Sequence, residues 1–149
     1  MLHALSAPQK VALGCYVICQ LLFFGMGFTY LFRTEFMPYH AEALGQTWRD
    51  LSPALQILLL ALMKATGGGL LASGIAHATL TFIPFRRGER WALFAVPAVG
   101  LVVSGSALWA TLTVLTGTPA SPPWQAALVG VVLSCLGFIL SMLPAKKDA

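Results

Sequence analysis

The sequence predicts an all-α membrane protein: residues 1–149 form one up-down four-transmembrane-helix bundle with a short extramembrane segment between helices 1 and 2. Four long apolar runs are separated by breaks rich in proline and polar residues. Of 149 residues, 58% are hydrophobic and only 9% are charged, whereas soluble proteins average about 25% charged residues. So few charges could not cover a soluble domain, and we therefore expect lipid to be the main solvent.

The first span is expected at about residues 8–32. Ser6 and Gln9 have the spacing of a capping box at its start. About twenty apolar residues, at a rise of ~1.5 Å each, are enough to cross a hydrocarbon core of ~30 Å.

The extramembrane segment covers residues 33–51. Met37-Pro38 prevents the first helix from continuing, because proline lacks the N–H that a helix interior needs. Residues 39–44 are predicted to form a short helix on the membrane surface that ends at Gly45.

The second span is expected at about residues 53–85 and is longer than a bilayer requires. Ser52 is a good N-cap, and Pro53 takes the first helical position, where its missing N–H costs nothing. At ~1.5 Å per residue the span measures about 50 Å, against a hydrocarbon core of ~30 Å. Counting back from its basic end places Lys64 at the outer boundary, where its ammonium can meet lipid phosphate or the carboxylate of Glu35 or Glu42. A strongly tilted helix is the alternative.

Small residues recur along one side of the second span, and such stripes let helices approach closely in lipid. We expect them to serve packing, within the bundle or against another protein. The alternative is a hinge or a ligand groove at Gly67–Gly69, because three consecutive glycines each cost about 1 kcal/mol of helix propensity. The predicted packing residues are Ala61, Ala65, Gly68, Gly69 and Ser73.

The third and fourth spans are expected at about residues 91–115 and 123–143, separated by a turn at 116–123. Four spans place both termini on one side of the membrane. Cytoplasmic loops carry an excess of lysine and arginine, and only Arg33 and Arg49 lie on the side opposite the termini. The side of the termini is therefore predicted to be cytoplasmic, since it holds six basic residues: Lys10, Arg86, Arg87, Arg90, Lys146 and Lys147.

Patterns typical of enzymes and of cofactor proteins are absent from the sequence. It contains no G-x-S-x-G, no Walker loop and no H-E-x-x-H. His77 has no second histidine within the spans, so we expect a hydrogen-bonded core histidine and not a haem ligand. Cys15, Cys19 and Cys135 are expected to be buried small hydrophobes. No cofactor, no metal and no nucleic-acid partner is predicted.

The outer face carries the candidate binding site. It combines aromatic rings with a few polar groups, which suits a lipid or quinone headgroup, although an ordinary aromatic belt has the same composition and is the favoured interpretation. Glu35, His40 and Glu42 are suitable ligand types for a metal, and His40 with a carboxylate suits acid–base chemistry, although their spacing matches no strong motif. The candidate ligand-binding residues are Tyr39, His40, Trp48, Lys64 and Trp124.

Three stretches carry a resemblance to known proteins: MPYHAEALG at 37–45, PFRRGERWALFAVPAVGL at 84–101 and TPASPPW at 118–124. They resemble an uncharacterised group of small bacterial four-helix membrane proteins. The resemblance covers most of the chain and implies the architecture and a bacterial inner membrane, without a reaction, substrate or cofactor. A more distant likeness to DoxX-like proteins depends on size and span count alone and is an analogy.

Together these observations favour a non-enzymatic accessory or scaffold subunit that packs with other membrane proteins or with itself. The small-residue stripe and the missing catalytic set support this hypothesis. The alternative is a module at the outer face that binds or transports an apolar small molecule, a lipid or a quinone. A lipid-modifying enzyme that uses His40 with Glu35 or Glu42 is the least favoured. Membrane lipids are expected partners in every case.

The predicted topology can be tested with a reporter enzyme that is active only outside the cytoplasm. Fused at Thr118, this reporter should be active, because the turn at 116–123 faces away from the basic side. The same reporter fused at Gly88, beside the arginine cluster, is the control and should be inactive. A cytoplasmic result at Thr118 would overturn the topology.

Overall fold

A computed structural model describes residues 5–143, and this part of the chain contains helices and turns but no β-strand. Lys146 and Lys147, which support the predicted topology, lie outside the described residues. Four of the helices are long and apolar enough to cross a membrane, which suggests a multi-pass membrane protein. The helices are α1 (Ala7–Phe32), α2 (Pro38–Leu44), α3 (Pro53–Leu80, prolonged by a π-helical turn at Thr81–Phe85), α4 (Ala92–Gly117) and α5 (Trp124–Met142).

The helix bounds lie within two residues of those expected from the sequence, because local signals set them. The backbone N–H of Ser6 donates to Oε1 of Gln9 at 3.0 Å, which forms half of the predicted capping box. Ser52 Oγ accepts from the backbone N–H of Leu55 at 3.3 Å. The short helix α2 also forms as predicted, and Gly45 ends it with the left-handed φ of 64° that glycine tolerates.

The four long helices form an antiparallel bundle. Helix α1 packs against both α3 and α5, and α4 packs against α5, whereas α3 and α4 are packed less closely. The direction of α3 follows from its contacts with α1: Gly27 faces Gly67, and Tyr16 faces Phe85 with ring centroids 5.5 Å apart. Residue numbers therefore rise along α1 as they fall along α3.

Helices α4 and α5 meet through two Gly-x-x-x-Ser sequences that run in opposite directions. Gly100 of α4 faces Ser134 of α5, and Ser104 of α4 faces Gly130 of α5. Ser134 Oγ donates to the Gly130 carbonyl at 2.8 Å, and Cys19 Sγ of α1 donates to the same carbonyl at 3.7 Å. Because small residues allow backbones to approach closely in lipid, this pairing holds α1, α4 and α5 together.

A polar pair lies buried in the middle of the bundle. Nε2 of Gln20 lies 3.3 Å from Nδ1 of His77, and both side chains are buried. The rings of Tyr16 and Phe23 approach His77 edge-on, with centroids 5.8 and 5.7 Å from its ring. The expected hydrogen-bonded core histidine is confirmed.

The predicted packing residues of the second span do not pack the interior of this bundle. They are exposed or only half-buried, and a Cβ added at Gly68 or Gly69 would meet no atom within 4 Å. The buried glycines of α3 are instead Gly67 and Gly74, since the face that carries His77 turns inward. The prediction that these residues pack helices within one chain is therefore wrong. Packing against another protein stays a prediction for the same five residues: Ala61, Ala65, Gly68, Gly69 and Ser73.

The cysteines divide into two groups. Cys15 and Cys19 are buried, as expected for small hydrophobic residues. Cys135 is exposed on α5, so its predicted burial is wrong. Its neighbour Ser134 takes the inward position because it packs against Gly100.

We predict that Gly67→Ala destabilises the bundle and Gly68→Ala does not. A Cβ at Gly67 would lie 2.7 Å from the Leu31 nitrogen and 2.8 Å from the Gly27 oxygen. Both are backbone atoms, so a helix must shift, and overpacking of this kind costs about 1–3 kcal/mol. Gly68→Ala adds the same methyl group in open space and is the matched control. Thermal unfolding in one detergent measures the difference, and equal transition temperatures would contradict the α1–α3 interface.

Candidate functional site

A cavity of about 580 Å³ lies in the half of the bundle nearest α2. Its volume falls within the ~300–1,000 Å³ typical of small-molecule sites. All five helices contribute to its walls, which are mainly apolar. The polar side chains that line it are Tyr30, Tyr39, His40, Thr66, Ser73, Ser104, Ser106 and Thr111.

The cavity exists because small side chains face each other where α3 and α4 diverge. Ala107 and Ala110 of α4 face the space, and Gly69 and Ser73 contribute the wall on α3. None of these side chains can reach across the gap. Two of the residues predicted to pack helices therefore line a cavity instead, which agrees with the alternative of a ligand groove near the glycine triplet.

The cavity opens sideways between α3 and α4. Thr66 and Gly69 on α3 are both lining residues and exposed, and the same holds for Val102, Ser106 and Ala110 on α4. In a membrane these helix faces meet hydrocarbon, because lipid surrounds a transmembrane bundle. An apolar molecule can therefore enter from the bilayer.

Three aromatic side chains form the polar end of the cavity. Tyr30 belongs to the last turns of α1, and Tyr39 and His40 belong to the first turn of α2, which Pro38 begins. The hydroxyls of Tyr30 and Tyr39 are hydrogen-bonded to each other. The rings of Tyr39 and His40 are edge-to-face, with centroids 4.3 Å apart. The Tyr30–Tyr39 bond thus joins α2 to the bundle and places His40 beside the cavity.

The protonation of this polar end follows from its surroundings. The backbone N–H of Met37 donates to Nδ1 of His40 at 3.3 Å, so the neutral ring carries its proton on Nε2. Burial lowers the pKa of His40, and the nearby charge of Arg33 lowers it further. Burial also raises the pKa of Tyr39, as does its hydrogen bond with Tyr30. At neutral pH both side chains are uncharged.

Only two of the five predicted ligand-binding residues, Tyr39 and His40, line the cavity. Trp48 packs its ring edge-on against Phe36 with centroids 5.2 Å apart, outside the cavity. Lys64 is exposed, and its Nζ donates to the carbonyl of Leu31 at 3.1 Å. Trp124 is half-buried as the first residue of α5. The prediction therefore located one end of the site and missed its walls.

Two sequence signals could have found the missing residues. Ser104, Ala107, Thr111 and Val114 recur at intervals of three or four, which places them on one face of α4. Three members of this row, Ser104, Ala107 and Thr111, are small or polar, which indicates a face that borders a space. Tyr30 carries the second signal, since a hydroxyl near a span end needs a partner when it is buried.

The alternative of a metal site at Glu35, His40 and Glu42 is wrong, because these three side chains do not form a group that could hold an ion. Glu42 Oε2 instead accepts from the backbone N–H of Ser121 at 3.3 Å. This bond connects α2 to the turn before α5. Within residues 5–143 no carboxylate hydrogen-bonds to His40, which weakens the acid–base alternative.

No protein-family model, curated protein or solved structure matches the chain. The resemblance to small bacterial four-helix proteins therefore stays a prediction.

We predict that His40 makes the stability of the folded state depend on pH. Its folded pKa is below the ordinary value of 6.5, so below that pH the unfolded chain binds more protons than the folded one. Stability should be full above about pH 6.5 and should fall as the pH drops toward the folded pKa. Unfolding temperatures between about pH 8 and pH 5 measure this dependence.

The matched control is His40→Gln. Glutamine at the third position of a helix can accept the same backbone N–H, but it does not titrate. The variant should lose the part of the pH dependence that His40 contributes. If wild type and variant decline equally between pH 8 and pH 5, the neutral, capping His40 is contradicted.

Proposed function

We propose that the protein is a membrane-embedded binding module for an amphiphilic small molecule of the lipid or quinone class. The apolar body of this ligand lies between α3 and α4, and its head reaches Tyr30, Tyr39 and His40. One observation carries the proposal: a cavity of about 580 Å³ has apolar walls and three polar side chains that converge at one end. Small-molecule sites commonly combine these features.

The lateral opening of the cavity supports a ligand that arrives through the membrane. A water-soluble substrate would need a polar route from one face of the bundle. Here the exposed lining residues include Val102 and Ala110, which are apolar. The absence of a carboxylate bonded to His40 in the described part of the chain favours binding over catalysis.

The membrane that we propose is the bacterial inner membrane, with both termini in the cytoplasm. Arg86, Arg87 and Arg90 are exposed in the connection between α3 and α4, at the end of the bundle opposite α2. By the positive-inside bias this end is cytoplasmic. The polar end of the cavity then lies toward the outer face.

A scaffold or accessory role is a second candidate, and one observation favours it. Ala61, Ala65 and Gly68 are exposed on one face of α3, and a Cβ added at Gly68 would meet no atom of the described residues within 4 Å. Small-residue faces of this kind bring transmembrane helices together. A partner subunit or a second copy of the chain would occupy this face.

Ala107→Phe tests the proposed ligand cavity, because the added ring occupies part of the space that Ala107 lines. We expect wild type to bind an environment-sensitive fluorescent probe with an alkyl tail in a saturable manner. The variant should bind it about tenfold more weakly, since ~1.4 kcal/mol of lost apolar burial corresponds to that factor.

Ala98→Phe is the control, because Ala98 is exposed on the same helix and is not a lining residue. This variant should bind the probe as wild type does. Equal affinity of the Ala107 and Ala98 variants, or no saturable binding by wild type, contradicts the proposal.

A further inference from the structure

We infer that the cavity selects a neutral ligand whose head carries carbonyl oxygens that accept hydrogen bonds, as in a quinone ring or an uncharged acyl ester. This inference rests on the proposed function and adds the chemistry of the head. Three features of the polar end carry it: an unused hydroxyl proton, the tautomer of His40 and the positions of the nearby cations.

The Tyr30–Tyr39 pair offers one donor to a ligand. Each phenol carries one proton that it can donate. One of the two protons is used in the hydrogen bond between the hydroxyls, and the second remains available. Both residues line the cavity, so a ligand there meets an O–H donor whichever hydroxyl supplies it.

His40 supplies the second donor. Its Nδ1 already accepts the backbone N–H of Met37, which leaves the proton on Nε2. Among the hydrogen bonds of residues 5–143, none uses this Nε2–H. A ligand that covers these two donors needs acceptor oxygens for both of them, because a donor that becomes buried without a partner is costly.

The nearby cations are engaged elsewhere. Lys64 donates to the carbonyl of Leu31, and Arg33 donates to the carbonyls of Glu35 and Phe36 at 3.3 and 3.5 Å. Neither side chain lines the cavity. A phosphate or carboxylate placed among the lining residues would lose its hydration without a paired charge, which costs far more than placing a neutral carbonyl there.

The test compares four probes that carry the same alkyl tail, using the full chain in nanodiscs. Their heads are a benzoquinone, an uncharged glycerol ester, plain benzene and a phosphate. We expect the quinone, the ester or both to bind about tenfold more tightly than the alkylbenzene. The tighter of the two carbonyl probes identifies the source of the carbonyl.

Variants of Tyr30 and Tyr39 test the role of the hydroxyl donor more directly than the probe comparison does. Tyr30→Phe and Tyr39→Phe each break the bond between the hydroxyls but leave one O–H in the cavity, while the Glu42–Ser121 bond still holds α2. Each should therefore lower the ratio of carbonyl-probe affinity to alkylbenzene affinity by no more than about threefold. The double variant has no hydroxyl donor and should lose about tenfold. Thermal unfolding of each variant verifies that it remains folded, and the alkylbenzene affinity of the same variant is the reference against which the carbonyl-probe affinity is compared.

Other outcomes separate this inference from the proposed function. If the alkylbenzene binds as tightly as both carbonyl probes, or if the double variant has no effect on them, the inference fails and the apolar binding site stands. If the phosphate probe binds most tightly and Arg33→Gln abolishes this preference, the head is an anion and the inference is overturned. If no probe binds in a saturable manner, the proposed function itself fails.

Discussion

The rest of the bundle depends on the hydrogen bond between Gln20 and His77. Both side chains are buried between helices that lie in an apolar medium, where an unpaired polar group costs several kcal/mol. The pair therefore fixes the rotation of α3 about its axis. Gly67 and Gly74 share the inward face with His77 and allow α1 to approach. Gly68 and Gly69, where an added Cβ would meet no atom within 4 Å, then face away from α1.

The same rotation produces the cavity. With His77 turned inward, Gly69 and Ser73 border the space beside α4. Helix α4 cannot close this space, because the reciprocal contacts of Gly100 with Ser134 and of Ser104 with Gly130 hold it against α5. Helix α2 then covers one end through the Tyr30–Tyr39 and Glu42–Ser121 bonds. The cavity thus results from two tightly packed helix pairs, α1 with α3 and α4 with α5, which leave α3 and α4 apart.

Most of the fold could be predicted from the sequence, because proline, N-caps and long apolar runs act locally. The inward face of α3 could not be predicted, because two faces of this helix carry small residues. Which of them turns inward depends on the bond of His77 with Gln20, and Gln20 lies in another helix. Of the site, only part of the polar end could be predicted from the sequence. Tyr39 and His40 stood out as polar groups beside a predicted helix start. Trp48 and Lys64 were chosen because they are also aromatic or polar, but they contact Phe36 and Leu31 and do not line the cavity.

The contact of Lys64 with the Leu31 carbonyl bears on the excess length of the second span. Leu31 is the penultimate residue of α1, so Lys64 lies level with the end of that helix. The turns of α3 before Lys64 extend beyond α1, and Met63 packs there with Phe36 and Leu51 of the extramembrane segment. This arrangement favours a projecting helix over a strongly tilted one. Because Thr66 lines the cavity only two residues further along α3, this end of the cavity lies close to the end of α1, and the head of the proposed ligand would lie there with its tail deeper in the bundle.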